Sequence, residues 1–143
     1  MLEIREAKAE DIEAILQLQT QIYRVNSVNP NGPQRLEKQL KDESCLVLVA
    51  NMDGKVIGTT TIYFIEVAIR DRPYAFLEGL VIHEDHRGNG HGTTFFQKCV
   101  EIAKEKGCYK MLFTSGLDRE DAHKFYEKLG FRKQGYEFRM DLN

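Results

Sequence analysis

The segment "HRGNGHG", His86 to Gly92, stands between an apolar run and an amphipathic one. Glycine inside a helix costs about 1 kcal/mol relative to alanine. Gly88, Gly90 and Gly92 at the mouth of a helix therefore weaken it unless the backbone itself is needed there. The run before them, Tyr74 to Ile82 (YAFLEGLVI), has the length and apolar content of a buried strand. After them, from about Thr93 to Lys106, Phe95, Phe96, Cys99, Val100 and Ala103 share one helical face, and Gly107 follows as a stop signal. A strand, a glycine turn and a helix in that order place the chain among proteins that pack helices on a sheet.

No Asp or Glu lies between Arg87 and Glu101, although the first turn of a helix ordinarily favours acids. A helix N-terminus presents unpaired N–H groups and partial positive charge, and glycine lets an anion approach its backbone closely. Arg87 adds a planar fork of charged donors. The local reading is a phosphate or pyrophosphate site, with glycines that serve only tight packing as the alternative. A P-loop is disfavoured because no Gly-Lys-Ser/Thr closes the motif. A dinucleotide fingerprint is disfavoured by the G-x-G-x-G spacing and by the late position of the strand.

The remaining pattern gives a coarse order of elements. Leu2 to Glu6 alternates as a short strand. Glu10 to Tyr23 carries Ile12, Ile15, Leu16, Leu18 and Ile22 at helical spacing, and a second helix is expected from Gln34 to Lys41 after a polar, Asn- and Pro-containing loop. "SCLVLVANMDGKVIGTTTIYFI" reads as two strands about a turn at Met52 to Lys55, where Asp-Gly is a hairpin signal. "CYKMLFT" is a further strand. Asp118 is the expected N-cap of a helix bearing Ala122, Phe125, Tyr126 and Leu129, which Gly130 ends with Phe131 as the anchor beyond it. "FRKQGYEFRMDL" reads as one or two closing strands. One domain over residues 1–143 is expected.

Composition narrows the function. The formal net charge of -2 gives no bulk attraction to nucleic acid or to an anionic membrane. No apolar run reaches the roughly 20 residues that span a bilayer, and the charged N-terminus is unlike a signal peptide. Cys45, Cys99 and Cys108 lack the spacing of a disulfide framework or zinc site and read as small buried hydrophobes, as expected of a cytoplasmic protein. His83, His86 and His91 have no accompanying acid pattern, so no metal is expected.

Together, "VIHEDHRGNGHG" and "DAHKFYEKLGF" resemble the two signatures of the GNAT superfamily of N-acetyltransferases. Arg87, Gly90 and Gly92 fill the acetyl-CoA-binding signature, and the element order matches over essentially the whole chain. The resemblance implies a mixed, mostly antiparallel twisted sheet flanked by helices (an α/β, or α+β, fold) with a splayed central strand pair that holds acyl-CoA. It assigns cofactor contacts to Leu80, Val81 and Ile82, to Arg87, Gly88, Asn89, Gly90, His91, Gly92 and Thr93, and to Tyr126. Asp118, where many members carry Asn to contact the cofactor, is the remaining implied cofactor contact: it could accept a hydrogen bond, although its charge would not help to bind phosphates. Acetyl-CoA would be the co-substrate, no metal is implied, and a homodimer is compatible with the family.

The chemistry would be attack of a neutral amine on a thioester. Lysine-type and α-amines have reference pKa values of about 10.4 and 7.7, so a base or water relay is needed. Glu78 is the candidate base, water-positioner or substrate-binder, on the expectation that strand alternation puts it on the face of Leu80; His83 is the alternative base. The backbone N–H of Leu80 or Val81 is the candidate oxyanion donor. The resemblance gives Tyr126 the protonation of the departing thiolate. Tyr23, Arg24, Asn26 and Glu78 are the candidate acceptor-binding residues. The expected acceptor is the primary amine of a small molecule. The competing readings are acetylation of a protein N-terminus or lysine, and a non-catalytic acyl-CoA-binding module.

Overall fold

Two short-range signals organise the start of the sheet. At Asp53 and Gly54 both φ angles are positive, 52° and 84°, which a two-residue type I′ hairpin requires. The hairpin joins β2 (Cys45–Met52) to β3 (Lys55–Ile65) in antiparallel register. β1 (Leu2–Glu6) adds to the free edge of β2, and β4 (Tyr74–Ile82) to that of β3, both antiparallel. β5 (Met111–Leu112) is parallel to β4, giving the order β1-β2-β3-β4-β5. The computed structural model describes all residues, 1–143, as two compact units, Met1–Leu112 and Phe113–Asn143.

In the first unit, consecutive residues of β2 from Val47 to Ala50 are all buried, as alternation demands of a strand covered on both faces. α1 (Ile12–Tyr23) and α2 (Gly32–Leu40) cover one face, with Ile15 and Leu36 clustered on Val47 and Val49. α3 (His91–Glu105) buries Phe95, Phe96, Cys99 and Ala103 and packs against β4 and β1. α1 begins at Ile12 rather than Glu10 because Ala9–Asp11 form a 3-10 turn ahead of it. That turn is clamped by Asp11, whose carboxylate accepts from Arg5 Nη1 at 2.7 Å and Nη2 at 3.1 Å, and from the Lys8 N–H at 2.8 Å. The Arg5 guanidinium holds the Asp11 carboxyl below its ordinary range.

β4 contains the irregularity on which the site depends. Thr61 pairs with Glu78 and Thr59 with Val81, so Gly79 and Leu80 both stand opposite Thr60. This is a β-bulge. The Glu78 carbonyl accepts from the Thr60 hydroxyl at 3.1 Å. Gly79 has φ +67°, and a Cβ there would lie 2.7 Å from the Tyr23 hydroxyl oxygen. Glycine is thus required twice, by the left-handed backbone and by the tyrosine lying against it. On its other side β4 pairs with β5 only at Ala75 and Phe76, so the ladder stops before the bulge.

The second unit holds α4 (Glu120–Lys128). Its N-cap is Arg119, not Asp118. The chain first makes a turn in which Arg119 N–H donates to the Gly116 carbonyl at 3.2 Å, and this delays the helix past Asp118. At the other end the Gly130 N–H donates to Glu127 O at 3.0 Å and the Phe131 N–H to Tyr126 O at 3.1 Å, with Gly130 at φ +102°. This is the Schellman closure expected at Gly130 and Phe131. Phe113 packs edge-on against both Tyr126 and Phe131, with centroids 4.7 and 5.0 Å away. Residues 131–142, expected as one or two strands, form neither helix nor strand within this unit.

Two outcomes follow for stability. Asp11→Asn should cost about 2 kcal/mol in chemical denaturation at pH 7, the scale of hydrogen bonds to charged groups. Because the folded pKa is depressed, the lost contribution is one present above the unfolded value and lost as pH falls through the folded one. The wild-type advantage should accordingly shrink at acid pH in thermal melts. Gly79→Ala should cost at least about 1–2 kcal/mol from the left-handed backbone. In a Tyr23→Phe background, where the hydroxyl is gone, that cost should fall measurably in a double-mutant cycle.

Candidate active site

The bulge sets the Glu78 side chain against α1. Glu78 Oε2 accepts from the Tyr23 hydroxyl at 2.5 Å, while Oε1 has no protein partner. Tyr23 is held protonated, its pKa raised by burial first and by Glu78 second, so it remains the donor of this pair. The expectation that Glu78 and Leu80 share a face rested on unbroken alternation, and the bulge removes that basis.

Glu78, Gly79 and Tyr23 line a cavity of about 490 Å³ between α1, α2 and the β3–β4 pair. That volume lies within the ~300–1,000 Å³ typical of small-molecule sites. Its walls carry Thr59, Thr60 and Thr61 from β3, Tyr63 beyond them, and Arg35, Lys38 and Gln39 from α2. Gln39 donates to the Tyr63 hydroxyl at 2.8 Å, and Thr59 to the Leu48 carbonyl at 2.8 Å. Of the candidate acceptor residues, Tyr23 and Glu78 line the cavity and Arg24 and Asn26 do not. Arg24 caps α1 in a left-handed conformation, φ 55°. Arg35 and Lys38 escaped sequence reasoning. The signal that could have found them is their i, i+3 spacing on a helix whose Leu36 and Leu40 face the core.

The glycine loop follows β4. A 3-10 turn, Glu84–His86, comes first, and His83 Nδ1 accepts from the Asp85 N–H at 3.1 Å. That bond commits one nitrogen of His83 to capping. Arg87 Nε donates to the Ile82 carbonyl at 2.9 Å, which ties the start of the loop to the end of β4. Gly88 and Gly90 have φ +83° and +80°, and a Cβ at either would meet nothing within 4 Å. Their glycine requirement comes from backbone conformation rather than tight packing. Gly90 is the N-cap of α3, which starts at His91, two residues before the expected Thr93. The first turn, with Gly92 and Thr93, holds no acid; its leading N–H groups have no partner within the helix. Two left-handed glycines, open space and an uncompensated helix N-terminus suit the pyrophosphate of a coenzyme.

Of the strand residues beside the loop, Val81 and Ile82 pair with Thr59 and Gly58 of β3, and Leu80 is outside that ladder. The second unit carries Tyr126, on α4, and Asp118, in the turn before it. His123 Nε2 is 2.8 Å from the Gly116 carbonyl of that turn. Cys45, Cys99 and Cys108 are free; burial pushes the Cys99 thiol up to about 12, which makes it an inert packing group.

The acetyltransferase (GNAT) family profile matches residues 12–131. A glucosamine 6-phosphate N-acetyltransferase of Trypanosoma brucei brucei is 33% identical over 90 residues, 62% of this chain and 59% of its own length. The chain therefore spans somewhat over half of that relative. The N-acetyltransferase YhdJ of Bacillus subtilis (strain 168) is 31% identical over 110 residues, covering 76% of this chain and 77% of the relative. The solved structure of a Trypanosoma brucei acetyltransferase superposes with a TM-score of 0.86 at 26% identity, over 99% of this chain and 100% of that one. By the extent of the profile match and by these relatives, the chain belongs to the GNAT family of acetyltransferases.

Proposed function

We propose that this chain transfers the acetyl group of acetyl-CoA to a primary amine of a small molecule by direct attack. The observation that carries the reading is the Glu78 carboxylate, fixed through Oε2 by Tyr23 and lining a cavity sized for a small acceptor. The substrate ammonium docks at Glu78 and loses a proton to it, or to a water it holds. The nitrogen lone pair then attacks the thioester carbonyl carbon, the C–S bond breaks, and the new amide nitrogen gives up its second proton, which offsets the one taken up by the thiolate. Leu80, outside the β3 ladder, is preferred over Val81 as the N–H that receives the tetrahedral oxyanion. The coenzyme pyrophosphate lies on the amides from Arg87 to Thr93, with Asn89 and His91 in the same turn. Tyr126 supplies the proton that the departing thiolate takes up; a tyrosine, with a reference pKa of about 10, can donate to a thiolate whose conjugate acid is near 8.5.

Thiol release from acetyl-CoA, followed against a panel of amines and peptides, tests this. A small amine should accelerate release, and Glu78→Gln should reduce kcat by about 10²-fold or more, the usual scale for a positioned acid or base. Tyr126→Phe should lower kcat with little change in the acceptor KM. Tight acetyl-CoA binding with no amine-dependent release would overturn the transferase reading in favour of a binding module. Turnover of peptides alone would overturn the small-molecule acceptor.

A further inference from the structure

The charged groups of the cavity are sorted by wall, and not all of them are spoken for. Four charged residues line it: Arg35, Lys38, Asp42 and Glu78. Glu78 is engaged by Tyr23. Asp42 accepts from the Ser44 N–H at 2.9 Å and from the Ser44 hydroxyl at 2.7 Å, and these bonds hold its carboxyl below the ordinary range. Arg35 and Lys38 take part in no ion pair. They are one helical turn apart on α2, hence neighbours on its surface. Lys38 also reaches Asp42 through its field, which leaves Arg35 as the less compensated of the two. A carboxylate thus stands on the β4 wall, and on the α2 side two cations, with Asp42 past the helix end already engaged by Ser44.

We infer that the acceptor carries an anionic group, a carboxylate or a phosphate, which Arg35 binds with the help of Lys38 while the amine lies at Glu78. This rests on the transfer reading above and names the class of its substrate. Guanidinium binds either anion through paired N–H donors. The same two charges disfavour a polycationic amine, whose remaining ammonium groups would face them. A zwitterionic acceptor satisfies both walls, and its two charges fix which way round it enters.

The test uses matched acceptors that differ in one charge: glucosamine 6-phosphate against glucosamine, and an amino acid against its amide. With wild-type protein the anionic member of at least one pair should have a KM at least tenfold lower. Arg35→Gln should raise that KM by about 10–100-fold, the range of charge-assisted hydrogen bonds, and by at least tenfold more than it raises the KM of the neutral member. Arg35→Lys should retain part of the preference. Which pair responds tells phosphate from carboxylate. Equal losses for both members, or a wild-type preference for neutral or polycationic amines, would overturn the anion site. Calorimetric titration of the same pairs gives a second readout without turnover. If no amine is acetylated, the transfer reading fails by itself. An anion preference in binding that Arg35→Gln abolishes would still support the site, and no preference would overturn it.

Discussion

One hydroxyl group governs the geometry around the bulge in β4. Tyr23, the last residue of α1, reaches the bulge in β4, donates to Glu78 and occupies the space where any side chain at Gly79 would sit. Three features then depend on one another. The bulge needs a left-handed residue, the left-handed residue must lack a side chain, and the missing side chain admits the tyrosine. The outcome is a carboxylate in one fixed orientation at the end of a cavity. In the proposed reaction, a carboxylate fixed before substrate arrives would lower the ordering cost.

The bulge also shapes the other side of the strand. It takes Leu80 out of the β3 ladder, and the β4–β5 ladder has already ended at Phe76. A bulged residue is left out of the ladder, so its polar groups are not committed to the neighbouring strand. Beyond the end of the strand, Arg87 ties the glycine loop back to Ile82. The carboxylate, the released strand and the anion-seeking helix terminus therefore all follow from one nine-residue strand and the loop after it. A disturbance at Gly79 would be felt in each.

Much of this was legible in the chain. The hairpin at Asp53-Gly54 and the helix stops at Gly107 and Gly130 carry local signals strong enough to override context, and each lies where those signals put it. The glycine loop was readable for the same reason, since left-handed backbone and an acid-free first turn are both written in residue types. The bulge was not. Gly79 inside an apolar strand is ambiguous between a weak strand and a bulge, and only the register with β3 decides. Asp118 misled because the N-cap preference is local, whereas the turn closed by Gly116 moves the N-cap on by one residue, to Arg119. Arg35 and Lys38 were invisible because polar residues on an amphipathic helix read as solvent-facing. Whether they border a cavity depends on what β3 and β4 leave open in front of them.

The protonation states in the first unit narrow which group can accept the proton from an amine. Tyr23 is adjacent to the cavity, but burial and the neighbouring carboxylate hold its proton on; it is a donor that fixes its partner. Tyr63 is shifted the same way by burial and already accepts a hydrogen bond from Gln39. Asp42 is tied to Ser44 through two bonds to one oxygen and borders α2 rather than the released strand. His83 spends Nδ1 on the turn that leads into the glycine loop. Glu78 alone combines a fixed carboxylate, a place in the cavity lining and a position beside the bulge in β4. The proton acceptor and the oxyanion donor would then be neighbours in sequence, set apart by the one extra residue that the bulge inserts between them.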